Sequence, residues 1–505
     1  MWVGLAASDL LSLMRKKPVG ILKRNARIAK SSKGGKPRRL TERAADFSKP
    51  DIKRGTPPAP PKPEPVLQEP RQYPFWTCQS EVDRQAAACL SKILASDANK
   101  RNGTTIKSLT LAPHIKAKKA VYAVTCQTLS YLPVIQQVLS KTTLLNVEQL
   151  RPAVAFVITY ELLFGQGCRI KGKAEKAIFR LKAELQEYLQ DVLNEAGVEH
   201  ADELLSANIA RDWPRTARVN LLKISVEEAL AWLRSPPLSD QKLATLGSKA
   251  TVDQLLPDVL LFPAGTDLHD HPLVNNGSLI LQSKASCLPA HALAAQPGWQ
   301  VLDACAAPGN KTTHVAALMG GKGSVLAFDR DPKRLTRLKA NAAATGATNI
   351  VAQQADFLSL DLCSEELRDV RGVILDPSCS GSGTSHSRMD HLLPFKGQAT
   401  AEQEAARLQS LAAFQTKALR HALNLPKLER LVYSTCSIHD VENELVVKAV
   451  LEEAHELGFQ LVDPFPSWPR RGLPLLPGHH HLIRVDPEKD NTDGFFVAVF
   501  QRSSS

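Results

Sequence analysis

Past Gly298 the chain alternates short apolar runs with amphipathic stretches, and that alternation leaves it few architectures. The runs WQVLDAC, GSVLAFD, NIVAQQAD, GVILD, RLVYSTC and FFVAVF have strand length, while KRLTRLKANAAATG and AEQEAARLQSLAAFQTKALRHAL between them have helical spacing. Strands separated by helices pair side by side with helices on both faces. An α/β, doubly wound, Rossmann-like sheet is therefore predicted, with ligands bound outside the carboxyl ends of its strands. Four runs end in an acid, at Asp303, Asp329, Asp356 and Asp376, and two lead on to cysteine, at Cys379 and Cys436. A single such Asp is as well explained by a turn as by a ligand. Four at one sheet edge describe a nucleoside pocket.

The first run continues through Cys305, Ala306, Ala307, Pro308, Gly309, Asn310 and Lys311 into a helix. Small residues there let the backbone approach a ligand, and the helix start adds partial positive charge. Neither the spacing of a dinucleotide fingerprint nor that of a P-loop is present. Asp329, twenty residues beyond Gly309, is placed to accept hydrogen bonds from both hydroxyls of a ribose. A lone cysteine is usually an inert buried residue; two at equivalent strand ends of one sheet point to nucleophilic chemistry. Carbon-5 of cytosine is a poor nucleophile. A thiolate added at carbon-6 makes the ring enamine-like and able to take a methyl group from a sulfonium donor, after which a second group must remove the carbon-5 proton.

At 505 residues the chain exceeds one core, and roughly three units are expected. Residues 1–70 read as a disordered basic and Pro-rich tail: residues 1–50 carry 13 Lys/Arg against Asp9, Glu42 and Asp46, most of the net charge of +12, and Lys49–Pro70 is an extended linker. Such a tail is an address or a sequence-blind phosphate binder. Residues 71–200 read as a helical domain, with Gly165 and Gly167 stopping one helix. Residues 201–296 read as a small α+β module, in which TARVNLLKIS and LPDVLLFPAG are strands, VEEALAWLRS is a helix, and Leu268–Pro289 is a strand followed by a loop. Residues 297–505 form the catalytic unit. Nine scattered cysteines without Cys-x-x-Cys spacing, and no secretory signal, indicate a reducing compartment without structural zinc. No apolar run is long enough to span a membrane.

The motifs DACAAPGNKT at 303–312, FDRDPKR at 328–334, DPSCSGSG at 376–383, YSTCS at 433–437 and GFF at 494–496 occur in the order in which they occur in the Nol/Nop/Sun-domain RNA (cytosine-5) methyltransferases. The chain resembles that family over about four-fifths of its length, and within it the members that act on large-subunit ribosomal RNA. The resemblance implies a Rossmann-like class I fold, S-adenosyl-L-methionine as cofactor, and large-subunit rRNA or a pre-ribosomal particle as partner, with no DNA and no membrane. It implies Cys436 as nucleophile and Cys379 as the thiol needed for product release. Cys305, Ala306, Ala307, Pro308, Gly309, Asn310, Lys311, Asp329, Arg334, Asp356 and Asp376 match donor-binding positions, and Lys311 and Asp376 also border the base. Arg218 and Asn220 are expected to touch RNA backbone. Most relatives have Pro where Ser378 stands, Gly where Asn310 stands, and an acid where Ser283 follows Gln282. The expected setting is a nuclear, nucleolar monomer; the basic, acid-poor start allows a mitochondrial alternative.

Rival readings fit less well. A DNA cytosine methyltransferase places its nucleophile directly after Pro, whereas Ser378 separates Pro377 from Cys379. A ribosome-assembly protein without turnover needs neither thiol. The run His479–His481 lacks other metal ligands at useful spacing, so no metal is assigned.

Overall fold

A computed structural model describes residues 74–98, 105–205, 213–235, 249–385, 389, 392–393 and 400–503; the tail read at residues 1–70 lies outside them. The first described part is all helical, with helices Glu81–Ala98, Lys118–Ser130, Leu132–Ser140, Pro152–Leu163, Lys173–Arg180 and Lys182–Ala196. Pro152 suits a first helical turn because its φ is already helical and no partner is needed there for a missing N–H. Leu90, Leu94, Leu129, Ile135, Phe156 and Ile178 meet in the core of this bundle, and Leu392 and Leu393 from the far end of the chain pack against it.

The next part is a four-stranded antiparallel sheet of β1 (Arg215–Val219), β2 (Thr251–Val252), β3 (Val259–Phe262) and β4 (Leu279–Leu281), in the order β2-β3-β1-β4. The helix Val226–Arg234 starts at a capping box in which Ser225 accepts from the Glu228 amide at 3.1 Å and Glu228 accepts from the Ser225 amide at 2.8 Å. The expectation of a loop after the strand near residue 280 is overturned: Lys284–Leu293 is a helix with Pro289 inside it. A proline in helical interior normally argues against the helix; here burial of Cys287, Leu288 and Leu293 against the large sheet outweighs it.

That sheet contains β5 (Gln300–Asp303), β6 (Ser324–Asp329), β7 (Ile350–Gln354), β8 (Val370–Leu375), β9 (Arg430–Thr435), β10 (Phe459–Val462), β11 (Ile483–Val485) and β12 (Phe495–Arg502). Its order is β10-β12-β9-β8-β5-β6-β7, with β11 paired to β12. The pairings from β9 through to β7 are parallel and those of β12 are antiparallel. The six strands read from sequence are all present, while β10 and β11 are additional. Chain order reverses between β8 and β5, which opens a crevice at the carboxyl ends.

Candidate active site

Along the carboxyl edge the loops follow in spatial order: Cys436 after β9, Asp376 and Cys379 after β8, the loop 304–310 after β5, Asp329 closing β6, and Asp356 beyond β7. The thiols thus occupy one end and the ribose-type acids the other, with the small-residue loop between. Cys379 and Cys436 lie 3.4 Å apart, sulfur to sulfur. Lys311 donates to Asp376 Oδ2 at 2.8 Å, and Ser434 donates to Asp376 Oδ1 at 2.8 Å. A cleft of about 400 Å³ brings Lys311, Asp376 and Cys436 together with Trp213 and Arg215 of the small module and Gln282 beyond β4.

Two glycines allow this approach. The Gly383 amide donates to the Cys436 carbonyl at 2.9 Å and the Gly494 amide to the Gly383 carbonyl at 2.9 Å; a Cβ on Gly383 would sit 2.1 Å from the Gly494 oxygen. The DPSCSGSG and GFF motifs therefore pack together around the strand that leads to Cys436. Gly309, at φ +103°, starts the helix Asn310–Leu318 with no side-chain cap. Its first amides are left for a partner from outside the chain.

Charges in the cleft act on each other. Burial alone would lower the Lys311 pKa, but Asp376 more than offsets it and holds the ammonium above its ordinary value. The hydrogen bond with Cys436, then burial, hold the Cys379 thiol well above its ordinary value, with Asp376 and Glu442 acting the same way. Burial pushes Cys305 up as well, helped by Asp303 and Asp376, which makes it an inert wall.

The donor end is braced. Asp329 accepts the Ala307 amide at 3.2 Å and the Asp331 amide at 2.9 Å. Arg334 lies 3.4 Å from Asp329 and also donates to the Ala307 carbonyl. Pro308 follows a cis peptide bond and its carbonyl accepts from Asn341 at 2.8 Å. Ala306 and Ala307 are buried, whereas Asp356 stands half exposed at the edge strand. The uncapped helix start carries partial positive charge, and small buried side chains and the buried Asp329 border it.

Two expectations are corrected. Asp303 does not face the pocket: it is buried, accepts from Thr312 at 2.7 Å, and burial raises its carboxyl to about 7 against that hydrogen bond. It pins the loop to the following helix. Arg218 and Asn220 do not face RNA, because both are fully buried. Arg218 donates to Gln282 at 3.2 Å and Thr313 at 3.3 Å, and Asn220 donates to the Gly277 and Thr345 carbonyls at 2.8 Å each. They join the small module to the catalytic unit. Beside them Asp258, in the module, meets His291 at 2.7 Å and His314 at 2.8 Å. Among the described residues these three form the grouping at metal-ligand distance, yet ligands around tetrahedral zinc stand about 3.3 Å apart. The shorter contacts are hydrogen bonds.

Residues 290–501 match the family model for 16S rRNA methyltransferase RsmB/F, and residues 119–205 and 213–282 match the N-terminal and ferredoxin-like domains of NOL1/NOP2/Sun domain family member 5. The 25S rRNA (cytosine-C(5))-methyltransferase NSUN5 of Arabidopsis thaliana is 44% identical over 83% of this chain and 73% of its own. The 28S rRNA (cytosine-C(5))-methyltransferase of Mus musculus is 42% identical over 79% of this chain and 87% of its own. The crystal structure of PH0851 shares the fold over 84% of this chain and 98% of its own, with a TM-score of 0.57 at 21% identity. Sheet order and matches together define a Rossmann-like, class I, S-adenosylmethionine-dependent methyltransferase. The chain belongs to the NOL1/NOP2/Sun domain family of RNA cytosine-5 methyltransferases.

Proposed function

We propose that this enzyme forms 5-methylcytosine in large-subunit rRNA, with Cys436 as nucleophile and Cys379 as the group that permits release. The observation that carries the reading is two sulfurs 3.4 Å apart beside the Lys311–Asp376 pair. The Cys436 thiolate adds to carbon-6, its electron pair making the S–C bond while the ring π electrons move toward carbon-5. Asp376, oriented by Lys311 and Ser434, accepts from the exocyclic amine at the ring edge, while the Lys311 ammonium faces the negative charge that develops in the ring. When bound, S-adenosyl-L-methionine would supply the methyl group that carbon-5 takes, its sulfur leaving as the neutral thioether. Cys379, its own proton given up to solvent, takes the carbon-5 proton, and the C–S bond to Cys436 breaks as the double bond re-forms.

The donor is assigned to the loop Cys305–Lys311 with Asp329, Arg334, Asp356 and Asp376, in which Arg334 braces and Asp329 receives the ribose. Trp213 and Arg215 border the same cleft and are assigned to the RNA strand. Residues 71–200, 201–296 and 297–505 are read as helical, RNA-binding and catalytic units acting as a monomer. The setting follows from the substrate: large-subunit rRNA or a pre-ribosomal particle in the nucleolus.

The test is a gel-resolved adduct assay with rRNA fragments. Cys379→Ala is expected to accumulate covalent enzyme–RNA and Cys436→Ala to form none; the opposite assignment would reverse the roles. Bisulfite mapping of large-subunit rRNA after depletion identifies the base, and an unchanged map would overturn the substrate.

A further inference from the structure

We infer that Glu442 and Asn443 form a positioning clamp that sets the spacing of the two cysteines, one residue holding each thiol-bearing segment. The inference rests on the reading of Cys436 and Cys379 given above. Neither residue lies in the cleft lining, and both are fully buried beneath it.

Glu442 acts on the Cys379 segment. Its Oε1 accepts from the Ser380 amide at 2.9 Å, the residue after Cys379. The same oxygen accepts from Gln415 Nε2 at 3.0 Å, and that amide nitrogen also donates to the carbonyl of Ser378, the residue before Cys379, at 3.0 Å. Cys379 is thus gripped on both sides. Asn443 acts on the Cys436 segment in the same way: its Oδ1 accepts from Thr435 Oγ1 at 2.5 Å, and its Nδ2 donates to the Ser437 carbonyl at 3.0 Å. Those two residues flank Cys436. The backbone joins the halves, because the Glu442 carbonyl also accepts from Tyr433 OH at 2.5 Å, three residues before the nucleophile on β9.

One dipeptide therefore spans two loops that the chain separates by 57 residues. A purely structural tie would not need a charge. Glu442 Oε2 is nevertheless buried with no partner among the described residues, a costly arrangement for a carboxylate. After the Cys436 hydrogen bond, burial and Asp376, it is a further influence holding the Cys379 thiol above its ordinary value. Near-attack geometry explains why spacing matters, since a misplacement of about 1 Å costs about 100-fold in rate.

The experiment separates the two steps. Asn443→Ala is expected to slow adduct formation about 100-fold, with little adduct accumulating. Glu442→Ala and Gln415→Leu, acting on the other segment, are expected to form adduct near the wild-type rate and release it slowly, as Cys379→Ala does. Glu442→Gln keeps the Ser380 acceptor and removes the charge, so its release should be restored in rate but shifted in pH profile. A direct readout uses dibromobimane, whose two bromides are displaced by two neighbouring thiolates: single alkylation continues in Asn443→Ala and Glu442→Ala, while bridging of residues 379 and 436 drops. Equal losses in formation and release, or unchanged bridging, would overturn the clamp. If Cys379→Ala itself accumulates no adduct, the assignment of the thiols has failed instead.

Discussion

Two polar clusters meet one helix, and they differ in how far they are closed to water. Helix Asn310–Leu318 sends Lys311 toward the cleft, where it pairs with Asp376, and two and three residues later sends Thr313 and His314 toward the small module, where they meet Arg218 and Asp258. In the cleft the Asp376 side chain is 27% exposed; in the module cluster Asp258 is 3% exposed and His314 not at all. The open cluster borders the cleft and keeps hydrogen-bonding capacity toward it. The closed one joins the small module to the catalytic unit. Gln282 connects them, accepting from Arg218 and donating to the Ser286 carbonyl at 3.0 Å, while Lys311 also reaches Ser286 Oγ at 3.4 Å. Docking of the module is thereby linked to the position of the active-site lysine.

The contrast breaks most visibly in rate. Asp376→Asn is expected to reduce single-turnover methyl transfer about 10²- to 10⁴-fold, with thermal stability nearly unchanged because the carboxylate borders solvent. A melting temperature that dropped along with the rate would put Asp376 among the structural ties. In the closed cluster the expectation inverts. Asp258→Ala leaves the rings of His291 and His314 without the buried carboxylate they bond, at a cost of about 1–3 kcal/mol for each unsatisfied group, read by chemical denaturation, while donor binding by the molecules that remain folded stays intact.

A sharper form of the same contrast is pH. Burial, followed by the repulsion of Arg218, lowers His314 to about 3 despite its bond to Asp258, against about 6.5 for an unfolded histidine. Between those values the unfolded chain binds a proton that the folded chain does not, so stability is complete above about pH 6.5 and is lost as pH falls toward 3. Burial opposes ionisation of Asp258, but the hydrogen bonds from His291 and His314 outweigh it and hold the carboxyl well below its ordinary value. That adds a second loss below about pH 4. His314→Gln should flatten the slope between pH 6.5 and 4 measured by urea denaturation; an unchanged slope would mean that other groups carry it.

The same difference decides what could be read from sequence. Buried parallel strands such as Ser324–Asp329 are continuous apolar runs, and motif order placed both thiols, the donor loop and Asp329 at one edge. β10 and β11 were missed because four and three residues are too short to show a period. Arg218 was misread because a single arginine on a strand looks like a surface residue. β1 packs Ala217 and Val219 into the core of its own module and turns Arg218 against the catalytic unit, so both of its faces are covered. Gln415, Glu442 and Asn443 carried no local signal either: Glu442 meets Ser380 across 62 positions, and no spacing rule reaches that far.

The smallest expected effect compares two acids at the donor end. Asp329 is buried and already bonds two amides, so the carboxylate is fixed in place before a ribose arrives; Asp356 caps its own turn through the Leu358 amide at 3.2 Å and stands 46% exposed. Hydrogen bonds to a fixed charge are worth about 1.5–3 kcal/mol, and exposed charge pairs about 0.2–1 kcal/mol. Calorimetric titration with S-adenosyl-L-methionine should therefore show Asp329→Asn weakened about tenfold or more and Asp356→Asn by less than about fivefold. Equal losses would mean that the edge strand closes over the donor when it binds, and that the exposure of Asp356 belongs to the empty protein alone.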